Sequence, residues 1–190
     1  MHPLDWAIFL LVYVGLALGT LPFTRLDRAA LALIGGVAVI ATGRMSFSQA
    51  IGTIDFPTLA LLFAMMVLSA QLRLGGFYAR VGRLIVRHAR SPWVLLIGVV
   101  LSSALLSALF ANDIVCLAFT PVLCMGLLAA RRDPLPYLIA LATSSNIGSA
   151  ATLIGNPQNM LIGQIGQLSF GRYVAVAGPL VIVCLGLNVL

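Results

Sequence analysis

Seven apolar stretches, at residues 6–23, 28–43, 57–74, 93–111, 114–130, 135–163 and 173–190, alternate with short clusters of Gly, Pro and Arg. Most approach the roughly 20 residues that a bilayer-spanning helix needs, whereas a membrane barrel is written in short alternating segments. The pattern predicts an all-α, polytopic membrane protein. Residues 76–91 have a different character. Arg80, Arg83, Arg87 and Arg90 recur at three- and four-residue steps, and so do Phe77, Val81, Leu84 and His88. Two adjacent stripes on one helix predict an amphipathic segment lying flat on the cytoplasmic interface, with its Arg toward anionic lipid.

Composition agrees with that class. Of 190 residues, 61% are hydrophobic and 8% charged, against about 45–50% and about 25% in soluble domains. Mean hydropathy is +1.10. A lipid bilayer is therefore the expected surrounding. All 11 basic residues are Arg and all 5 acids are Asp, and the Arg lie in short loops rather than in a soluble patch, so nucleic acid is excluded as a partner. The run beginning at Trp6 is longer than a signal-peptide core and lacks a basic leader, which marks it as a retained first span. With the N-terminus outside, and residues 92–131 entering and leaving on one side, 9 of the 11 Arg fall in the cytoplasm. The expected location is the cell (inner) membrane. Cys116, Cys124 and Cys184 sit in apolar runs without metal-ligand spacing, so they read as small core residues, with neither metal nor disulfide.

Polar residues placed where hydrocarbon belongs carry the functional signal. Residues 92–131 contain Ser102, Ser103, Ser107, Asn112, Asp113, Thr120 and Pro121. They form either two complete spans joined by a wet outer loop or a deep re-entrant hairpin. An ionisable group at mid-membrane costs roughly 2.5–3.5 kcal/mol on insertion scales, which makes Asp113 a functional candidate. Its carboxylate would exchange a proton for a cation, or cap the helix that follows. Residues 135–163 hold Thr143, Ser144, Ser145, Asn146, Gly148, Ser149, Thr152, Gly155, Asn156, Pro157, Gln158 and Asn159. Gly148 and Gly155 suit backbone turns closed to other residues, and Pro157 removes a helix hydrogen bond, so a broken helix is expected here. Its freed carbonyls and amide oxygens would replace water around a cation, and half-helix N-termini would favour an anion.

The two segments SALFANDIVCLAFTPVL and SNIGSAATLIGNPQN resemble the ion transporter superfamily of arsenite permeases, divalent anion:sodium symporters and sodium:proton antiporters. The resemblance spans roughly residues 57–165. It implies a secondary carrier of two inverted repeats, each with a re-entrant hairpin and a broken helix meeting at the midplane. On that likeness Ser107, Asn112 and Asp113 fall at the hairpin tip, and Ser145, Asn146, Gly148, Thr152, Gly155, Asn156 and Pro157 on the broken helix, as substrate- and ion-binding residues. The tip reads Ala-Asn-Asp, closer to arsenite permeases than to the Ser-Asn-Thr of dicarboxylate symporters. The implied activity is secondary active transport of a small anion or oxyanion, coupled to a proton or sodium ion, with no other cofactor. A cation:proton antiporter and a non-transporting membrane piece are the alternatives. The chain stops at Leu190 about where a first repeat ends, so the expected partner is a second transporter half or a second copy. No HExxH, paired Asp cluster, Ser/His/acid set or ATP-binding loop occurs, and an enzyme is not expected.

Overall fold

The computed structural model describes residues 3–19, 26–88 and 91–189. Arg25 and Arg90 lie outside these, as does the side chain of His88. All regular structure among the described residues is α-helical, in two compact units, Met1–Asp55 and Phe56–Leu190.

In the first unit α1 (Pro3–Leu18) and α2 (Arg28–Ala41) run antiparallel, followed by α3 (Phe47–Gly52). Glycines set how closely they approach. A methyl at Gly15 would come within 3.1 Å of Leu31, and one at Gly35 would overlap Val12. Asp5 and Arg44 close the far end with a 3.4 Å ion pair. Asp27 caps α2 by accepting from the Ala30 N–H at 2.8 Å. The hydropathy pattern gave no sign of α3, although Ser46 and Gln49 form a reciprocal capping box that starts it.

The second unit holds α4 (Phe56–Leu74), α5 (Phe77–His88), α6 (Pro92–Leu109), α7 (Asn112–Ala129), α8 (Leu135–Ser149), α9 (Pro157–Ile165) and α10 (Phe170–Val189). Among the described residues α4, α6, α7 and α10 are long and apolar enough to cross a membrane. Every fourth residue of α7 from Val115 through Phe119 and Leu123 to Leu127 is fully buried, which turns one stripe inward. Tyr78, Leu95, Val99 and Leu141 complete this core. Leu117, Leu128, Leu180 and Ile182 face outward, as expected where lipid is the solvent. Pro121 does not interrupt α7, which continues through it. The apolar stretch 135–163 is divided, with non-helical backbone from Ala150 to Asn156 between α8 and α9.

α6 and α7 form a hairpin whose turn is Phe110 and Ala111. α6 packs along α8, and α10 packs on both. Two helices start alike: Ser91 caps α6 ahead of Pro92, and Asn156 caps α9 ahead of Pro157. A Pro at the first helical position gives up an N–H that would have no partner within the helix.

Candidate functional site

The hairpin turn and the gap between α8 and α9 meet. Asn112, the first residue of α7, donates its backbone N–H to the Gly155 carbonyl at 3.0 Å. Its side-chain Nδ2 donates to Oδ1 of Asn146 at 2.7 Å. Its own carbonyl accepts from Ser145 Oγ at 3.3 Å. Asn112 Oδ1 is buried and has no hydrogen-bond partner. A buried acceptor left unpaired costs about 1–3 kcal/mol, so this oxygen is the atom in the site that most needs a ligand.

Behind the turn α6 and α8 are held together by paired hydroxyls. Ser107 and Ser145 share a 2.6 Å hydrogen bond, and Ser103 and Ser144 one of 2.5 Å. All four side chains are fully buried. One turn further on, Gly148 lies directly on Ala104, and a methyl there would overlap the Ala104 backbone. The small residues let two helix backbones touch, the packing that membrane helices favour.

The gap between α8 and α9 has its own ties. Thr152 Oγ1 donates to the Ala108 carbonyl at the end of α6 at 2.6 Å. Asn156 Oδ1 accepts from the Asn159 N–H at 2.8 Å, and Asn156 Nδ2 donates to Ser149 Oγ at 3.2 Å. Asn159 Nδ2 donates to the carbonyls of Thr152 at 2.9 Å and Ser149 at 3.4 Å. From α10, Tyr173 Oη donates to the Ala150 carbonyl at 3.2 Å.

Several sequence expectations change. Gly148 is not in the gap; it is helical, in the last turn of α8, as is Asn146. Neither Gly148 nor Gly155 has a positive φ. Both are glycine for lack of room: at Gly155 a methyl would overlap the backbone of Ser149. Pro157 breaks no helix, because it stands at the start of α9. Carbonyls expected to be free are in use, since those of Ser149, Ala150, Thr152 and Gly155 each accept a hydrogen bond from the protein. Asp113 stands apart. It is exposed, its carboxylate makes no hydrogen bond or ion pair among the described residues, and it does not cap α7, whose N-cap is Ala111 without a side-chain bond. A helix turns about 100° per residue, so the Asp113 side chain leaves α7 in a different direction from that of Asn112. Ser107, Asn112, Ser145, Asn146, Thr152, Gly155 and Asn156 are brought together.

Ser103, Ser144, Ser149 and Asn159, polar residues that the sequence placed in these segments but not in the binding set, belong to the same network. Ser103 lies four residues before Ser107, on the same helix face, which is a readable signal. Tyr173 gave none.

The arrangement can bind charge of either sign. The N-termini of α7 and α9 carry partial positive charge toward an anion; no side chain caps α7, whose first turn carries the Asp113 carboxylate. The C-termini of α6 and α8 lead into the same region, where the unpartnered Asn112 Oδ1 can accept from a donor or coordinate a cation. Among the described residues no three His, Cys, Asp or Glu group as metal ligands.

Residues 10–190 match the model of the citrate transporter family. A silicon efflux transporter of Oryza sativa subsp. japonica is 40% identical over 172 residues, covering 90% of this chain and 35% of that protein. A transporter of Dictyostelium discoideum named arsB is 30% identical over 162 residues, covering 84% of this chain and 29% of that protein. The P protein of Homo sapiens is 37% identical over 146 residues, 74% of this chain and 17% of that protein. The chain thus spans about a third of the length of the first two relatives. With the match running through both the hairpin and the divided helix, this multi-pass membrane chain belongs to the citrate transporter family.

Proposed function

We propose that this chain forms one repeat of a secondary active carrier for a small anion or oxyanion, and that substrate and coupling ion bind where the α6–α7 turn meets the gap between α8 and α9. The observation that carries this reading is Asn112, which bonds three residues across the junction and keeps Oδ1 buried and unpartnered. Two helix N-termini beside it supply fixed positive potential without the desolvation cost of an Arg. The family model is described as a citrate transporter, and citrate is a small organic anion; one relative is named a silicon efflux transporter. The coupling ion is a proton or sodium, since ion gradients drive carriers of this kind.

In this reading residues 92–131 are a re-entrant hairpin with both ends on the cytoplasmic side, and α5 lies on that same surface. The N-terminus is outside, in the cell (inner) membrane. The site is completed by a second half, because one repeat leaves its polar face without a wall. Uptake of citrate, silicate and arsenite into proteoliposomes holding the full-length carrier tests it, with sodium and proton gradients imposed separately. Saturable uptake driven by one gradient and lowered at least about tenfold in Asn112→Ala is expected; no gradient-driven uptake of any oxyanion would remove the reading.

A further inference from the structure

A groove of about 430 Å³ opens where α5 lies on α7. Its floor is apolar, made by Val86, Val122 and Gly126, and its rim carries Arg80, Arg83 and Arg87. Two glycines make this docking possible. Gly82 is buried, and a methyl there would stand 2.5 Å from Val122; one at Gly126 would stand 3.3 Å from Val86. The Arg side chains are exposed. Arg80 spends one donor on the Gly75 carbonyl at 2.7 Å, while Arg83 and Arg87 have no hydrogen bond or ion pair among the described residues. Among the described residues no carboxylate forms an ion pair with them; Asp133 accepts from the Leu135 N–H, and Asp113 belongs to the far end of α7.

We infer that this groove is a binding site for one anionic phospholipid, with the phosphate held by Arg83 and Arg87 and an acyl chain laid on the apolar floor. A guanidinium fork matches phosphate oxygens in geometry as well as charge. A free inorganic anion would use the rim and leave the floor empty, whereas a lipid uses both. The groove is built on α7, so the lipid touches the hairpin arm itself and not merely the membrane surface. This rests on the proposed placement of α5 at the interface.

The full chain in nanodiscs of equal phosphatidylcholine and phosphatidylglycerol, followed by delipidation in mild detergent and mass spectrometry of retained lipid, tests the site. Retained phosphatidylglycerol should exceed phosphatidylcholine, and Arg83→Gln/Arg87→Gln should lower the ratio about fivefold per Arg. Arg131→Gln/Arg172→Gln removes equal charge elsewhere and should leave the ratio unchanged. Equal loss in both double variants, or no preference in the unaltered chain, overturns the site, as does release of the lipid by inorganic phosphate alone. Bimane on Leu84→Cys, in a background without Cys116, Cys124 and Cys184, reports the placement of α5 separately through quenching by brominated acyl chains. Absent quenching refutes the interfacial helix; quenching without lipid preference refutes the groove alone. Should the Arg83 and Arg87 variants misfold, phosphatidylglycerol titrated against the bimane signal of the otherwise unaltered chain decides, since a bound lipid gives a saturable response and a charged surface a linear one.

Discussion

Asn112 and Asn146 stand 34 positions apart and are joined by a 2.7 Å amide hydrogen bond at the tip of the hairpin. The bond fixes which way the Asn112 side chain faces and leaves its Oδ1 buried and unpartnered. Removing that oxygen should harm binding far more than folding. Interhelical side-chain hydrogen bonds in membranes average about 0.6 kcal/mol, so Asn112→Ala should shift the unfolding midpoint by only a few degrees. Transport by the full-length carrier should fall at least about tenfold, since losing a ligand contact of about 1.4 kcal/mol or more has that effect. Proteoliposome uptake beside thermal unfolding in detergent separates the two.

Gly148→Ala should act oppositely. Its methyl would overlap the Ala104 backbone, which cannot rotate away. Overpacking costs about 1–3 kcal/mol, so the variant should lose stability measurably in chemical or thermal unfolding. Gly186→Ala is the control, with nothing within 4 Å of its added methyl; it should be neutral or slightly stabilising.

The hydroxyl pair Ser107 and Ser145 should show a measurable but small coupling. A double-mutant cycle of Ser107→Ala and Ser145→Ala should give about 0.6 kcal/mol and no more than about 1.7. Ser103 and Ser144 should couple more weakly, because each hydroxyl has a single proton and a competing acceptor in its own helix, the carbonyls of Val99 and Ala140 respectively.

Asp113 is exposed, makes no ion pair among the described residues, and follows Asn112 directly in sequence. If a proton is the coupling ion and Asp113 carries it, Asp113→Asn should abolish the response of uptake to an imposed proton gradient while retaining exchange of substrate. An unchanged response would leave sodium as the coupling ion or assign the proton to another group.

Leu109 is exposed just before the turn. In a background without Cys116, Cys124 and Cys184, Leu109→Cys should react slowly with membrane-impermeant maleimide added outside. Rapid labelling from outside, at the rate of a surface loop, would make α6 and α7 two complete spans.

The helices were legible because their apolar runs are long and their boundaries chemically marked, as at Ser91–Pro92 and Asn156–Pro157. The division of residues 135–163 was legible for the same reason. What the residues there do was read less well. Gly148 and Gly155 suggested unusual backbone angles, but a glycine serves close approach equally well, and one sequence cannot separate the two. Which carbonyls stay free depends on donors such as Asn159 and Tyr173, brought in by tertiary packing. Asp113 drew attention as the charge in an apolar run, yet its neighbour Asn112 is the residue at the junction. Helical phase relative to a partner that packs from 34 positions away is not written locally.

The Tyr173 bond to the Ala150 carbonyl has a consequence for biosynthesis. Its two ends are 23 residues apart, and the phenol belongs to the last helix of the unit. A ribosome adding about 5–20 residues per second needs roughly one to five seconds to supply the tyrosine after the alanine. The non-helical stretch therefore leaves the ribosome by that interval ahead of its final donor. The unit should thus complete its polar junction last, after the earlier helices are already in lipid, and a released chain truncated before α10 should leave residues 150–156 open to protease.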